Sequence, residues 1–216
     1  MFIELERNKD AWDIIQQMGH YINEWNDPKN VRLLQSSDFY AAQLRAIPER
    51  WDDGMQDVVS HAVLIFNQCR EHLTITPKDY HYVYCFCYLP NIISAFIIDR
   101  MDNMNESKKG TLLPLAFEML ESLLRYSEII EGYNPIEGMT SASQGYHNRG
   151  FLYYKLRRWN EAISDYQKAL DSRRFIYEYM PHKENKRVIG ETLVNIGAAQ
   201  LEWCKRSEEH TSELQS

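Results

Sequence analysis

The residues best suited to bind a metal ion are His81, Cys85 and Cys87, which lie within seven residues of one another. Imidazole nitrogens and thiolates are the usual protein ligands of zinc, and a structural zinc site takes four of them, commonly as two pairs. A single Cys-x-Cys pair beside one histidine lacks a fourth ligand and a second pair. Such cysteines are more typical of small apolar core residues. We therefore predict reduced, buried thiols here and no metal site.

The sequence contains little that resembles a catalytic motif. The acidic pair Asp52 and Asp53 precedes Gly54 but has no partner motif. We find no glycine-rich phosphate loop, no dinucleotide-binding fingerprint and no nucleophile elbow. The sequence therefore predicts no catalytic residue, no cofactor and no enzymatic activity.

Charge and composition bear on the class of partner. The chain has 216 residues, a formal net charge of −7 and an apolar content of 44%. Binding to nucleic acid needs a concentrated basic face. The one local basic cluster, Lys155, Arg157 and Arg158, is more typical of a solvated helix end than of a phosphate site. We therefore predict a globular protein without a nucleic-acid partner.

The sequence also bears on the compartment. The N-terminus, MFIELERNKDAW, is acidic and does not resemble a signal peptide. The longest apolar run, Tyr82 to Ile98, is interrupted by Pro90 and is shorter than the roughly 20 residues that span a bilayer. Four cysteines without a secretory signal fit reduced thiols better than a disulfide framework. These features favour a cytoplasmic protein with no membrane partner.

Apolar residues recur at helical spacing through most of residues 1–132. No segment shows the sustained alternation that indicates strands. We therefore predict a helical N-terminal region over residues 1–132. The predicted helices cover Asn8–Trp25, Asn30–Ala46, Pro48–His72, a buried helix that Thr76 to Asp79 starts, and Thr111–Gly132, with breaks at Asp102–Gly110 and Gly132–Thr140.

A more specific pattern of residue types occupies residues 146–170. Its positions are Tyr146, Gly150 and Tyr153 on a first helix, and Ala162, Tyr166 and Ala169 on a second. Residues three to four apart share one helical face, and Gly150 lets the second helix approach closely where Ala162 offers a small surface. This pattern resembles one tetratricopeptide repeat, a helix-turn-helix unit.

Three details of this unit carry further expectations. The predicted turn runs from Arg157 to Asn160, with Asn160 capping the second helix. Arg149 stands where the family usually has an apolar residue, and Arg174 stands near the position of an expected closing proline. These two positions depart from the family pattern.

A second, partial copy of the pattern covers residues 191–204, with Leu193, Ile196 and Gly197. The step from Gly150 to Gly197 is 47 residues, against about 34 in the standard unit. It resembles the longer-helix branch of the family, seen in kinesin light chains and bacterial peptide-sensing regulators. The resemblance implies an all-α fold, with helix-turn-helix repeats stacked as an α-solenoid over residues 140–205. The N-terminal helices are either degenerate repeats or a separate domain.

The last eleven residues, Arg206 to Ser216, read RSEEHTSELQS. This peptide resembles the translation of a common sequencing adapter, codon by codon. We therefore predict that residues 206–216 are a non-native tail and that the natural protein continues past Lys205.

The resemblance also implies a binding surface, because the first helices of such repeats line a concave groove that holds peptide segments. The groove positions counted from the two glycines are Gln144, His147, Asn148, Phe151 and Lys155, then Glu191, Val194, Asn195, Ala198 and Glu202. Asn148 and Asn195 each lie two residues before their glycine and are expected in register. Two such amides could bond the backbone of an extended peptide, or each could crosslink neighbouring helices.

The function implied by the resemblance is that of a protein-interaction module or scaffold that binds a protein or peptide segment. Two alternatives stay open. One is a peptide-sensing signalling regulator whose N-terminal helices are the effector domain, and the other is a fragment of a larger multidomain enzyme. The sequence makes no prediction of oligomeric state.

Overall fold

A computed structural model of the chain describes residues 29–46, 53–75 and 80–213. The predicted helix Asn8–Trp25 lies outside these residues, as do the start signal Thr76 to Asp79 and the predicted helix start at Pro48.

The described residues are helices joined by short turns, and they contain no strand. This confirms the all-α prediction. Within the described ranges, no helix combines the length and the apolar content that crossing a bilayer requires. The helices are α1 Lys29–Ala46, α2 Asp53–His72, α3 Tyr80–Val83, α4 Leu89–Arg100, α5 Glu106–Glu131, α6 Pro135–Lys155, α7 Trp159–Tyr179 and α8 Lys183–Glu213, with a π-helical turn Tyr84–Tyr88 between α3 and α4 and a 3-10 turn Met101–Asn103 after α4.

The chain divides into two compact units, Met1–Tyr126 and Ser127–Ser216. In the first unit, α1, α2 and α4 pack on one another around an apolar core. The apolar stripe of α2 faces that core, since Val59, Ala62, Phe66 and Cys69 are all buried. The predicted division into a helical region over 1–132 and repeats over 140–205 stays a prediction.

The apolar run predicted as a buried helix is α4 together with the π-helical turn before it. Nine of the twelve residues of α4 are buried, so this helix is covered on several sides. Phe86 of the π-helical turn packs against Tyr126 near the end of α5, with ring centroids 4.6 Å apart. Burial on more than one face is the expected position of a helix that is apolar all round.

In the second unit, α7 lies between α6 and α8 and contacts both, as successive helices do in an α-solenoid. The contacts of α6 with α7 run in opposite directions along the chain, from His147 with Arg173 to Tyr154 with Trp159. The two helices are therefore antiparallel. The apolar cluster of this unit joins α7 to α8 and consists of Ala162, Tyr166, Leu170, Ile196 and Ala199.

The turn between α6 and α7 differs from the prediction. Arg158 N–H donates to the carbonyl of Tyr153 at 2.9 Å, and Arg157 N–H donates to that of Tyr154 at 3.0 Å. This is a Schellman arrangement, and Arg157 has the left-handed φ of 58° that it requires. The predicted cap was wrong, because α7 starts at Trp159, Arg158 is its N-cap and Asn160 lies inside the helix.

The break before α6 is shorter than predicted. Asn134 caps α6 by accepting a hydrogen bond from Glu137 N–H, and Pro135 is its first residue. Gly138 therefore lies inside the helix. A Cβ atom at Gly138 would lie 2.4 Å from the Cα of Glu131, so this glycine allows a close backbone approach to the end of α5.

Candidate functional site

The candidate site is built on the close contact of α6 with α7 at Gly150. A Cβ atom at this position would lie 2.9 Å from Cδ1 of Tyr166 and 3.2 Å from the carbonyl oxygen of Ala162. Real Cβ atoms do not approach a buried ring so closely. Gly150 and Ala162 therefore set the spacing of the two helices, as their positions in the sequence predict.

A buried ion pair joins the same two helices where the sequence departs from the family pattern. Arg149 Nε donates to Asp165 Oδ2 at 2.6 Å, and a terminal guanidinium nitrogen donates to Oδ1 at 3.0 Å. Asp165 is only 3% exposed. The hydrogen bond to Asp165 raises the pKa of Arg149 against the opposing effect of burial. Arg149 occupies a usually apolar position because a carboxylate on the facing helix neutralises it.

Arg173 ties α7 to both of its neighbours. Its side chain donates to the carbonyl of Val188 at 3.0 Å and to the hydroxyl of Thr192 on α8. The same guanidinium nitrogen lies 3.2 Å from Nδ1 of His147 on α6. The residue is 8% exposed, and burial lowers the pKa of Arg173 to about 10. Arg173 is therefore still charged at neutral pH and fixes His147 in place.

The partners of His147 define its tautomer. Because a guanidinium only donates, Nδ1 carries the lone pair and the ring proton sits on Nε2. Nε2 lies 3.5 Å from the side-chain amide nitrogen of Asn195 on α8. Because two donors cannot bond each other, we assign the flipped amide orientation, in which the Asn195 oxygen accepts a hydrogen bond from Nε2–H. Burial, followed by the charge of Arg173, lowers the pKa of His147 to about 4.

This lowered pKa predicts a pH dependence of stability. The unfolded chain binds a proton at His147 near pH 6.5, whereas the folded chain binds it near pH 4. The stabilisation is therefore complete above pH 6.5 and is lost as the pH falls towards 4, by on the order of 2 to 3 kcal/mol. Urea denaturation between pH 4 and 7 measures this slope. His147→Gln removes the titrating ring and should flatten the slope, and an equal slope in both proteins would contradict the assignment.

A comparison with known protein families found a match that includes parts of both α6 and α7. The family model described as tetratricopeptide repeat matches residues 143–173. This segment is a tetratricopeptide repeat. The match covers most of α6, the turn and α7 as far as Arg173, so all the contacts of Gly150, Arg149 and Asp165 lie within it. No curated protein and no solved structure matched the chain.

The structure places the predicted groove residues of the tetratricopeptide repeat along α6. Gln144, His147, Asn148, Phe151 and Lys155 are all half-buried. Phe151 packs against the apolar cluster of the repeat, and Nζ of Lys155 lies 5.2 Å from the centre of its ring. The functional role of these residues stays a prediction.

The predicted groove residues on α8 have different surroundings. Glu191 is exposed and bonds Arg187 one turn earlier, whereas Asn195 is half-buried. The structure brings Asn195 together with His147 of the repeat, and this contact joins the two predicted sets of residues. The ladder of Asn148 with Asn195 stays a prediction.

Sequence reasoning missed Asp165 and Arg173. Both lie in the apolar stripe of α7, because Asp165 comes three residues after Ala162 and Arg173 three residues after Leu170. A charged residue inside an apolar stripe is a signal, because a buried charge needs a partner on the facing helix. Arg149 on α6 supplied that partner for Asp165.

The cysteines are the remaining reactive groups. Cys69, Cys85 and Cys87 are buried thiols outside any disulfide, whereas Cys204 is exposed. A hydrogen bond to Cys85, followed by burial, raises the pKa of Cys69. Such thiols resist ionisation and bind metals poorly. Within residues 29–46, 53–75 and 80–213, no group of three or more His, Cys, Asp or Glu side chains is arranged to hold a metal ion.

Proposed function

We propose that the second unit binds a peptide segment of a partner protein across the exposed parts of α6 and α8. The observation that supports this most directly is the contact of His147, which lies in the matched repeat, with Asn195 on α8, because both are predicted groove positions. Proteins with this repeat act as interaction modules, which gives the general class of function.

The chemistry of this face suits a peptide backbone. Gln144, Asn148 and Asn195 carry amides, and each amide offers two donors and an acceptor. Phe151 adds a half-buried aromatic surface on α6. A peptide backbone presents alternating donors and acceptors, so these side chains suit an extended segment. Because they would bond the backbone, we expect binding with little sequence specificity.

The test is a double substitution, Asn148→Ala with Asn195→Ala. Peptides selected from a displayed random library on the whole chain should bind this variant at least about tenfold more weakly, because two hydrogen-bonding amides worth about 1 kcal/mol each are gone. The melting temperature should fall only slightly, since both side chains are half-buried and the contact of Asn195 with His147 is long, at 3.5 Å. Isothermal titration and thermal denaturation give the two readouts.

Asn160→Ala is the matched control, because Asn160 is an exposed asparagine on α7 outside the proposed groove. It should leave peptide binding unchanged. If the double variant instead melts far earlier while the bound fraction of folded protein is unaltered, the two asparagines are helix crosslinks and the proposed groove is wrong.

A further inference from the structure

Helix α8 carries apolar residues on two opposite faces. One face contributes Ile196 and Ala199 to the apolar cluster with α7. The opposite face is open, since Val194 is 70% exposed and Leu201 57%. The exposed residues that follow one another along this open face are Arg187, Gly190, Val194, Gly197, Leu201 and Cys204, and we name them the outer stripe.

The outer stripe has the spacing of a coiled-coil seam, in which contact residues recur in steps of three and four. The sizes of its side chains alternate along the seam. Each large residue is followed three residues later by a small one. The large residues are Arg187, Val194 and Leu201, and the small residues are Gly190, Gly197 and Cys204.

The two glycines of the outer stripe leave open notches in the surface of α8. A Cβ atom at Gly190 or Gly197 would meet no atom within 4 Å. Glycine destabilises a helix interior relative to alanine, and no packing within the described part of the chain compensates for this at the two positions. At Gly150, by contrast, the missing side chain admits the ring of Tyr166. The notches of α8 would gain such packing from a partner that fills them.

The alternation of sizes favours an antiparallel partner with the same sequence. In a parallel pair of identical helices, each seam residue faces its own copy, so glycine would face glycine across a gap. In an antiparallel pair, the large residues of each helix face the small residues of the other. Val194 then fills the notch at Gly197 of the second copy, and Leu201 fills the notch at Gly190. Symmetry repeats both contacts, as in any isologous interface.

The residues that flank the outer stripe suit the same arrangement. In the antiparallel register, Lys205 approaches Glu184 of the second copy, and symmetry gives a second ion pair of the same kind. Both side chains are more than half exposed, at 56% and 59%. On the other flank, the centre of the contact is formed by the uncharged Leu193 and Gln200. Leu193 is 47% exposed and adds apolar surface that the second copy would cover.

We propose that the outer stripe is a self-association surface, through which two copies of the chain pair their α8 helices antiparallel as a symmetric homodimer. The proposal does not rest on peptide binding, since Val194 alone among the residues of the outer stripe is a predicted groove position. One helix from each copy gives a contact below the roughly 1,200 Å² of stable interfaces, so we expect reversible association in the micromolar to millimolar range.

Sedimentation velocity of the 216-residue chain tests the association. The weight-average mass should rise from 25.7 kDa in dilute solution towards twice this value as the concentration increases. Gly197→Leu fills the notch that Val194 of the second copy would occupy, and it meets no clash within the single chain. We expect this variant to keep its helical circular dichroism and to dimerise at least about tenfold more weakly, because the dimer contains two overpacked notches.

Gly110→Leu is the matched control, because Gly110 is an exposed glycine within α5 and a Cβ atom there also meets nothing within 4 Å. This variant should have the dissociation constant of the unchanged chain. A mass that stays at 25.7 kDa up to about 1 mM would overturn the proposal. Equal effects of the two leucine variants would also overturn it.

Disulfide trapping tests the orientation and the register. Gly190→Cys and Leu201→Cys are made separately, each in a chain that also carries Cys204→Ser, so that each variant has one exposed thiol beside three buried ones. The proposed register brings position 190 of one copy next to position 201 of the other. Under mild oxidation we expect a disulfide between the two variants when they are mixed, with one of them tagged so that the mixed product has its own size.

Each variant oxidised alone should stay largely unlinked, because an antiparallel pair holds two identical positions far apart. Efficient linking of each variant to itself would indicate a parallel contact and would overturn the proposal. The absence of a mixed disulfide would overturn it as well.

Discussion

Arg149→Met is expected to lower the free energy of unfolding of the second unit by about 3 kcal/mol, because the Asp165 carboxylate loses its main counter-charge while it stays buried. The Asp165 side chain is 4% exposed, and the variant retains the longer contact with Lys168, whose Nζ lies 3.5 Å from Oδ1. Urea denaturation, followed by amide hydrogen exchange in α6 and α7, measures the loss in this unit.

Two further variants test whether the loss comes from the buried charge of Asp165. Arg158→Met removes an arginine whose ion pair with Glu161 is exposed, so the cost should stay below about 1 kcal/mol. The double variant Arg149→Met with Asp165→Leu should regain most of the loss, because it removes both buried charges together. Equal costs for the two arginine substitutions would show that the Arg149 pair does not stabilise the repeat.

Gly150→Leu is expected to have the second large effect, a loss of about 1 to 3 kcal/mol from overpacking. Even the first added atom would lie 2.9 Å from the ring of Tyr166, which is 1% exposed and packed in the apolar cluster. The carbonyl of Ala162 blocks the other side at 3.2 Å. Thermal and urea denaturation should both show the loss, and hydrogen exchange should rise first at the α6–α7 contact.

Gly197→Leu is the matched control, since it makes the same change at the corresponding position of the second pattern. With nothing within 4 Å, the new side chain meets no clash. Removing a glycine from a helix interior should then stabilise the 216-residue chain by up to about 1 kcal/mol. Opposite signs for the two leucine variants are the expected result, and a loss of equal size at both positions would contradict the assigned packing.

The helix pairing was predictable because it rests on residue size. The spacing of Gly150, Ala162 and Tyr166 indicates which faces meet, and the structure brings these three residues into contact. The conformation of the turn between α6 and α7 was harder to predict from the sequence. A left-handed residue is usually glycine or asparagine, and here it is Arg157, so the turn chemistry points to Asn160 instead.

The polar contacts were the least predictable part of the candidate site. Arg149 and Asp165 lie on different helices, and nothing in the local pattern of either helix says that they meet. The same holds for Arg173, whose three partners lie on two other helices. In the sequence Gly138 resembles a helix breaker, because its role is a backbone contact with Glu131 that depends on how α5 and α6 meet.

The hydrogen bonds of Arg173 to two neighbouring helices affect the cooperativity with which the second unit unfolds. In repeat arrays, stability is approximately a sum of terms for single repeats and for adjacent pairs. Arg173 adds a term that involves α6, α7 and α8 together, since its guanidinium bonds His147, Val188 and Thr192. If α8 detached, Arg173 would lose its two acceptors on that helix, and Ile196 and Ala199 would leave the apolar cluster with α7. We therefore expect the part of α8 that contacts Arg173 and the apolar cluster to unfold together with α6 and α7.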